Sequence, residues 1–155
     1  MFRLPLEAIE WSNGILKKEP FMLQFDIYYL LFLTGLVAQD RKTLFDEDKT
    51  VPQRDVIDGF PGSYSSTQRL IINLLLITEK NKKAIPDDNK IRLRMELLEK
   101  YINPETNSLT LDGFKLANYY AYGGFRILEE RIARPEDSAD FMIAYLNVLR
   151  DVEKK

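Results

Sequence analysis

Apolar residues recur along most of the chain with the 3.6-residue period of a helix, and proline and glycine fall mostly between these stretches. Pro5 to Lys18 predicts a first helix, with Pro5 near its start and Leu6, Ile9 and Leu16 on one side, weakened in the middle by Asn13-Gly14. After Pro20 a second helix is expected to about Ala38. Phe25, Tyr28, Tyr29, Phe32 and Leu36 supply its i, i+3, i+4 spacing, and Leu30, Leu31 and Leu33 make it apolar nearly all round, as in a helix enclosed by others. Residues 39–64 hold Pro52, Gly59, Pro61, Gly62 and ten charges without a sustained pattern, which predicts one long irregular loop.

Ser65, Ser66 or Thr67 caps a third helix whose core, Leu70 to Ile77, is apolar at seven of eight positions. So uniform a run also fits a buried strand. The hydroxyl residues before it and the charged Glu79-Lys80-Asn81-Lys82-Lys83 after it favour a helix, because cations are stabilising near a helix C-terminus. Pro86-Asp87-Asp88 opens a fourth helix with Ile91, Met95, Leu98 and Ile102 on its expected core face, and Asn103-Pro104 ends it. Residues 103–109 read as a turn. Thr110 begins a fifth helix with a stripe of Phe114, Ala117, Ala121, Gly124, Leu128 and Ile132. Pro135 stops it and starts a sixth, where Phe141, Ala144, Tyr145, Val148 and Val152 continue the pattern. No strand pair is expected. The fold class is therefore all-α: one domain over residues 1–155, a compact bundle of about six helices, orthogonal because the helices differ in length.

Length agrees with one domain, since 155 residues leave little room for a second. The chain has no histidine and no cysteine. That excludes Ser-His-Asp and Cys-His catalysis, HExxH metal sites, zinc fingers, dithiol redox chemistry and disulfides. Neither GxxxxGK nor GxGxxG occurs, so no phosphate loop is expected and no cofactor is implied. The most apolar window, within residues 21–38, has an uncharged part of only 12 residues, Ile27 to Ala38. A membrane-crossing helix needs roughly 20, so this one is expected in the core rather than in a bilayer. Met1 to Glu7 carries a proline and an acid where an export signal would continue its apolar stretch, so the expected location is cytoplasmic.

Net charge is −2, which does not favour polyanion binding by the molecule as a whole. Locally, Lys80, Lys82, Lys83, Lys90, Arg92 and Arg94 stand against Asp87 and Asp88, a basic segment able to contact phosphates. Its alternative role is complementing helix dipoles and pairing with nearby acids. A second candidate is Asn118 to Phe125, where Gly123 and Gly124 interrupt a helix at a cost of about 1 kcal/mol each relative to alanine. Either they let another backbone approach, or they kink the helix and present Tyr119 and Tyr122 to a partner.

Carboxylates cluster at Asp46-Glu47-Asp48, at Glu129-Glu130 and at Glu136 with Asp140. A hard cation at Asp46 and Asp48 is conceivable, but these read first as solvated acids, and no metal site is assigned. Asn103, Glu105 and Asn107 have the alternating spacing of a calcium loop. Ser108 and Phe114 stand where its glycine and closing glutamate belong, so the match fails. With catalytic groups this sparse, the expected function is a non-catalytic helical binding module, a small accessory or adaptor subunit with a protein partner. The alternatives are a nucleic-acid accessory protein using Lys80 to Arg94, and a carboxylate-dependent metal enzyme using the 46–48 loop.

Overall fold

Two helices that touch backbone to backbone form the centre of the molecule. The computed structural model describes residues 1–41, 51–82 and 89–153, and in them the elements run β1 (Phe2–Pro5), α1 (Leu6–Ser12), α2 (Gln24–Ala38), β2 (Gln53–Ile57), a 3₁₀ turn (Gly62–Tyr64), α3 (Gln68–Lys82), α4 (Lys90–Tyr101), β3 (Ile102–Asn103), β4 (Ser108–Leu109), α5 (Leu111–Arg131) and α6 (Ser138–Glu153). The fold is mostly helical, with two small antiparallel strand pairs. α2 and α5 cross at glycines: a Cβ built on Gly35 would lie 1.9 Å from the Tyr120 carbonyl oxygen, and one on Gly124 would lie 1.8 Å from that of Leu31. Only residues without a side chain fit there. Around this crossing α2 buries Phe25, Ile27, Tyr28, Leu31, Phe32 and Leu36, while α5 buries Leu116, Ala117, Tyr120, Ala121, Phe125 and Leu128. α6 adds Phe141, Tyr145, Val148 and Val152 to the same core.

Local signals explain the helix ends. The Asp26 carboxylate, the one charge in the apolar window, accepts the Leu23 N–H at 2.7 Å and so satisfies a donor at the start of α2. Thr110 caps α5, its hydroxyl oxygen accepting the Gly113 N–H at 3.1 Å. No helix among the described residues is long and apolar enough to cross a membrane.

Three sequence expectations need correction. The first helix ends at Ser12 rather than Lys18: Gly14 lies against the Pro135 carbonyl, Lys17 takes a positive φ of 64°, and the chain turns. Strands do occur. β1 pairs with β2 in antiparallel register, Leu4 opposite Arg54 and Arg3 opposite Asp55, and Arg3 and Asp55 are joined by a 2.7 Å ion pair. A buried amide holds β1 onto α5, since Asn118 Oδ1 accepts both the Arg3 N–H at 3.0 Å and the Tyr28 hydroxyl at 2.8 Å. Within the expected loop, residues 51–64 are likewise structured. They contribute β2 and then Phe60 and Tyr64, whose rings lie 5.0 Å and 4.7 Å from those of Phe2 and Phe25.

The turn at 103–109 is a hairpin between β3 and β4, in which Asn103 Oδ1 accepts the Glu105 N–H at 3.0 Å. The residues tested as a calcium loop thus serve a turn.

Helix propensity alone favours alanine over glycine at Gly35 and Gly124 by about 1 kcal/mol. The close carbonyls reverse that sign. Gly35→Ala and Gly124→Ala should each lower the unfolding free energy by about 3 kcal/mol. Gly59→Ala, where an added Cβ meets nothing within 4 Å, should stay within about 0.5 kcal/mol of the parent. Urea unfolding of the three variants checks the contrast.

Candidate functional site

α3 and α4 stand beside the α2–α5 pair and bury one narrow face each. α3 turns Ile71, Ile72, Leu75 and Glu79 inward, and α4 turns Leu93, Leu97 and Tyr101 inward. The expected core face of α4 is the other one: Ile91, Met95 and Leu98 are 72%, 58% and 42% exposed, and Ile102 is half-buried. Two apolar stripes therefore run along α4, and periodicity picked the outer. On α3, Leu70 and Ile77 are both 52% exposed, and Ile77 lines a groove together with Leu98. This groove, between the helices, measures about 390 Å³ and is floored by Leu76, Ile77, Leu97 and Leu98 and edged by Lys80 and Arg94. A second apolar hollow, on Leu98, Ile102 and Pro104, continues it past the end of α4.

The basic segment divides across this region. Lys80 and Arg94 line the groove, and Lys90 is exposed on the first turn of α4. Lys82 turns away, its ammonium lying 5.1 Å from the centre of the Tyr120 ring. Burial, then the nearby Arg41 charge, holds its pKa below the usual lysine range. Lys83, Asp87 and Asp88 lie outside the described residues, as do Asp46, Glu47 and Asp48. Arg92 pairs with Glu96 on the surface at 3.2 Å. Among the described residues no group of three or more acids is placed to hold a metal ion. Glu129 pairs with Arg126, and Glu136 and Asp140 are exposed.

Lys82 adjoins a polar network that the sequence pattern did not reveal. Glu79, 3% exposed, occupies the position on α3 where the inward stripe would place another leucine. Its carboxylate accepts the Tyr120 hydroxyl at 2.6 Å and Nη1 of Arg41 at 3.2 and 3.1 Å. A buried carboxylate needs such partners, and here they come from α5 and from the chain just beyond α2. The one available signal was a charged residue at i+4 from Leu75 in an otherwise apolar row.

Gly123 and Gly124 take the packing role. Gly124 faces Leu31 and Gly35 of α2, and a Cβ on Gly123 would lie 2.1 Å from the Asp40 carbonyl oxygen. Both are buried, so neither presents atoms to a partner. Tyr122 is half-buried and packs on the core. Tyr119, also half-buried, lines an open cleft of about 450 Å³ together with Arg41, Lys100, Tyr101, Asp112 and Lys115. Searches of protein-family models, curated proteins and solved structures return no match to the chain.

Two outcomes follow from the buried network. Glu79→Ala leaves the Tyr120 hydroxyl unpaired in the core and should cost about 2–4 kcal/mol, with the loss of the Arg41 pair discounted because that side chain is 43% exposed. Tyr120→Phe, which keeps Arg41 on the carboxylate, should cost about 1 kcal/mol in the same urea titration.

Stability should also fall at alkaline pH. Burial raises the hydroxyl pKa values of Tyr28, Tyr64, Tyr120 and Tyr145, the last to about 12, and for Tyr64 and Tyr120 a hydrogen bond to a carboxylate adds to the effect. Unfolded tyrosines release their protons near pH 10, so the stabilisation is complete below that value and is lost as pH rises beyond it. Absorbance at 295 nm should show these four of the eight tyrosines ionising together with unfolding.

Proposed function

We propose that the protein is a non-catalytic helical binding module, a small accessory or adaptor subunit, whose α3–α4 face docks an amphipathic helix of a protein partner. The observation that carries this reading is the second apolar stripe of α4, Ile91, Met95 and Leu98, lying in solvent, with Leu98 meeting the exposed Ile77 of α3 in the groove. Single exposed apolar side chains are ordinary, but a helical stripe of them that ends, at Leu98, in an apolar groove of about 390 Å³ is the kind of surface that partner helices cover. Charge selects the occupant. Lys80 and Arg94 sit at the end of the groove where α3 stops and α4 starts, so the partner helix carries glutamate or aspartate at its matching end. Without histidine or cysteine the chain has few groups suited to catalysis near neutral pH, which supports the non-catalytic part of the reading.

The probe is a leucine-rich amphipathic helical peptide with glutamates at one end, compared with the same peptide carrying lysines there. Amide chemical shifts should map the glutamate peptide to residues 70–80 and 90–98, with the lysine peptide at least about tenfold weaker. Reversing charge in Lys80→Glu/Arg94→Glu should invert that preference, and Met95→Glu should abolish binding of both while leaving the unfolding midpoint unchanged. Equal affinity for the two peptides, or shifts confined to other helices, overturns the proposal. So does steeply salt-dependent binding of duplex DNA that Lys80→Glu/Arg94→Glu removes, which would assign the basic segment to phosphate contact.

A further inference from the structure

The cleft beside α5 calls for a different ligand. Its lining joins Arg41, just beyond α2, Lys100 at the end of α4 and Lys115 in the second turn of α5, with Asp112 as its one carboxylate among the described residues, and includes Tyr101 and Tyr119. Among the described residues neither Lys100 nor Lys115 is paired with an acid. Arg41 is paired, and the pairing fixes it: Glu79 is itself held by Tyr120 and grips the guanidinium through Nη1 alone, leaving Nε and Nη2 outside that contact. Three cations from three elements thus converge on a cavity of about 450 Å³, within the range of small-ligand sites. Among the described residues two of these cations have no acid partner, and an anion seated between them gains from both charges and from the Arg41 guanidinium.

We propose that this cleft binds a small phosphorylated molecule, its phosphate between Arg41, Lys100 and Lys115 and its carbon portion against Tyr101 and Tyr119. Arginine supplies the fixed planar donor and the lysines the mobile point charges, the combination that suits a tetrahedral dianion. Asp112 opposes the ligand, and that gives the site a signature which surface stickiness lacks: removing this acid should tighten binding.

Calorimetry on the full chain at low ionic strength, with pyrophosphate and inorganic phosphate as separate probes, tests the assignment. Pyrophosphate should bind saturably with one-to-one stoichiometry and inorganic phosphate more weakly. Lys100→Gln/Lys115→Gln should weaken pyrophosphate by at least about tenfold, and Asp112→Asn should strengthen it about threefold or more. Lys80→Gln/Arg94→Gln, at the separate α3–α4 groove, should leave it unchanged, so the outcome does not depend on the protein-docking reading. No saturable binding at millimolar pyrophosphate overturns the proposal, and so does equal weakening by the two double variants. Binding unaltered in both Lys100→Gln/Lys115→Gln and Asp112→Asn overturns it as well. Tighter, length-dependent binding of a single-stranded oligonucleotide that the Lys100→Gln/Lys115→Gln variant loses would instead assign the cleft to a nucleic-acid backbone.

Discussion

The reciprocal contact of Gly35 with the Tyr120 carbonyl, and of Gly124 with that of Leu31, sets the position of everything else. With no Cβ at either position, α2 and α5 approach until their side chains pack around the crossing rather than between the helices. That approach puts Tyr28 within reach of Asn118, and Asn118 in turn fixes β1. It also places Tyr120 beneath α3, where its hydroxyl meets Glu79. Helix propensity and core packing conflict at these glycines, and packing prevails, because a single added methyl group would have to displace backbone.

Polar groups then fasten the periphery to this centre. Asn118 ties β1 to α5, and Glu79 ties α3 to Tyr120 and to Arg41 just past α2. Each is buried with its side-chain oxygen occupied, the condition under which a polar group in a core specifies geometry instead of merely costing desolvation. The aromatic cluster works beside them. Phe2 lies 4.9 to 5.0 Å from the rings of Phe114, Phe25, Tyr28 and Phe60, so the second residue of the chain is anchored as firmly as a mid-helix position.

Much of the fold was legible because α5 and α6 bury one continuous stripe each and carry polar residues elsewhere, so the 3.6-residue period points one way, while α2 is apolar nearly all round and reads as an enclosed helix. α4 defeated the same rule. Both Leu93–Leu97–Tyr101 and Ile91–Met95–Leu98 have helical spacing, and only the packing of the first set on the core decides between them. The β1–β2 pair was illegible for another reason. Its partners are about fifty residues apart in sequence, β1 is four residues long, and neither strand alternates cleanly enough to announce itself. Glu79 was read as a helix-end charge, and the cleft around Arg41 draws on α4, α5 and the segment just beyond α2, a convergence that no local window contains.

The misread face of α4 bears on function because of what a second apolar stripe costs. Exposed leucine, isoleucine and methionine on a helix gain nothing in the isolated fold, and they raise the risk of self-association. The inward stripe already anchors α4 through Leu93, Leu97 and Tyr101, so the outer one is not needed to hold the helix in place. Leu98 of that stripe also shares the groove with Lys80 and Arg94, which interrupt the apolar surface and disfavour the close approach of a second like-charged copy. On the reading proposed above, an apolar stripe beside positive charge favours an oppositely charged amphipathic partner over self-pairing. That proposal gives the outward stripe a physical reason, since the stabilisation its side chains forgo in the isolated fold would be recovered under such a partner.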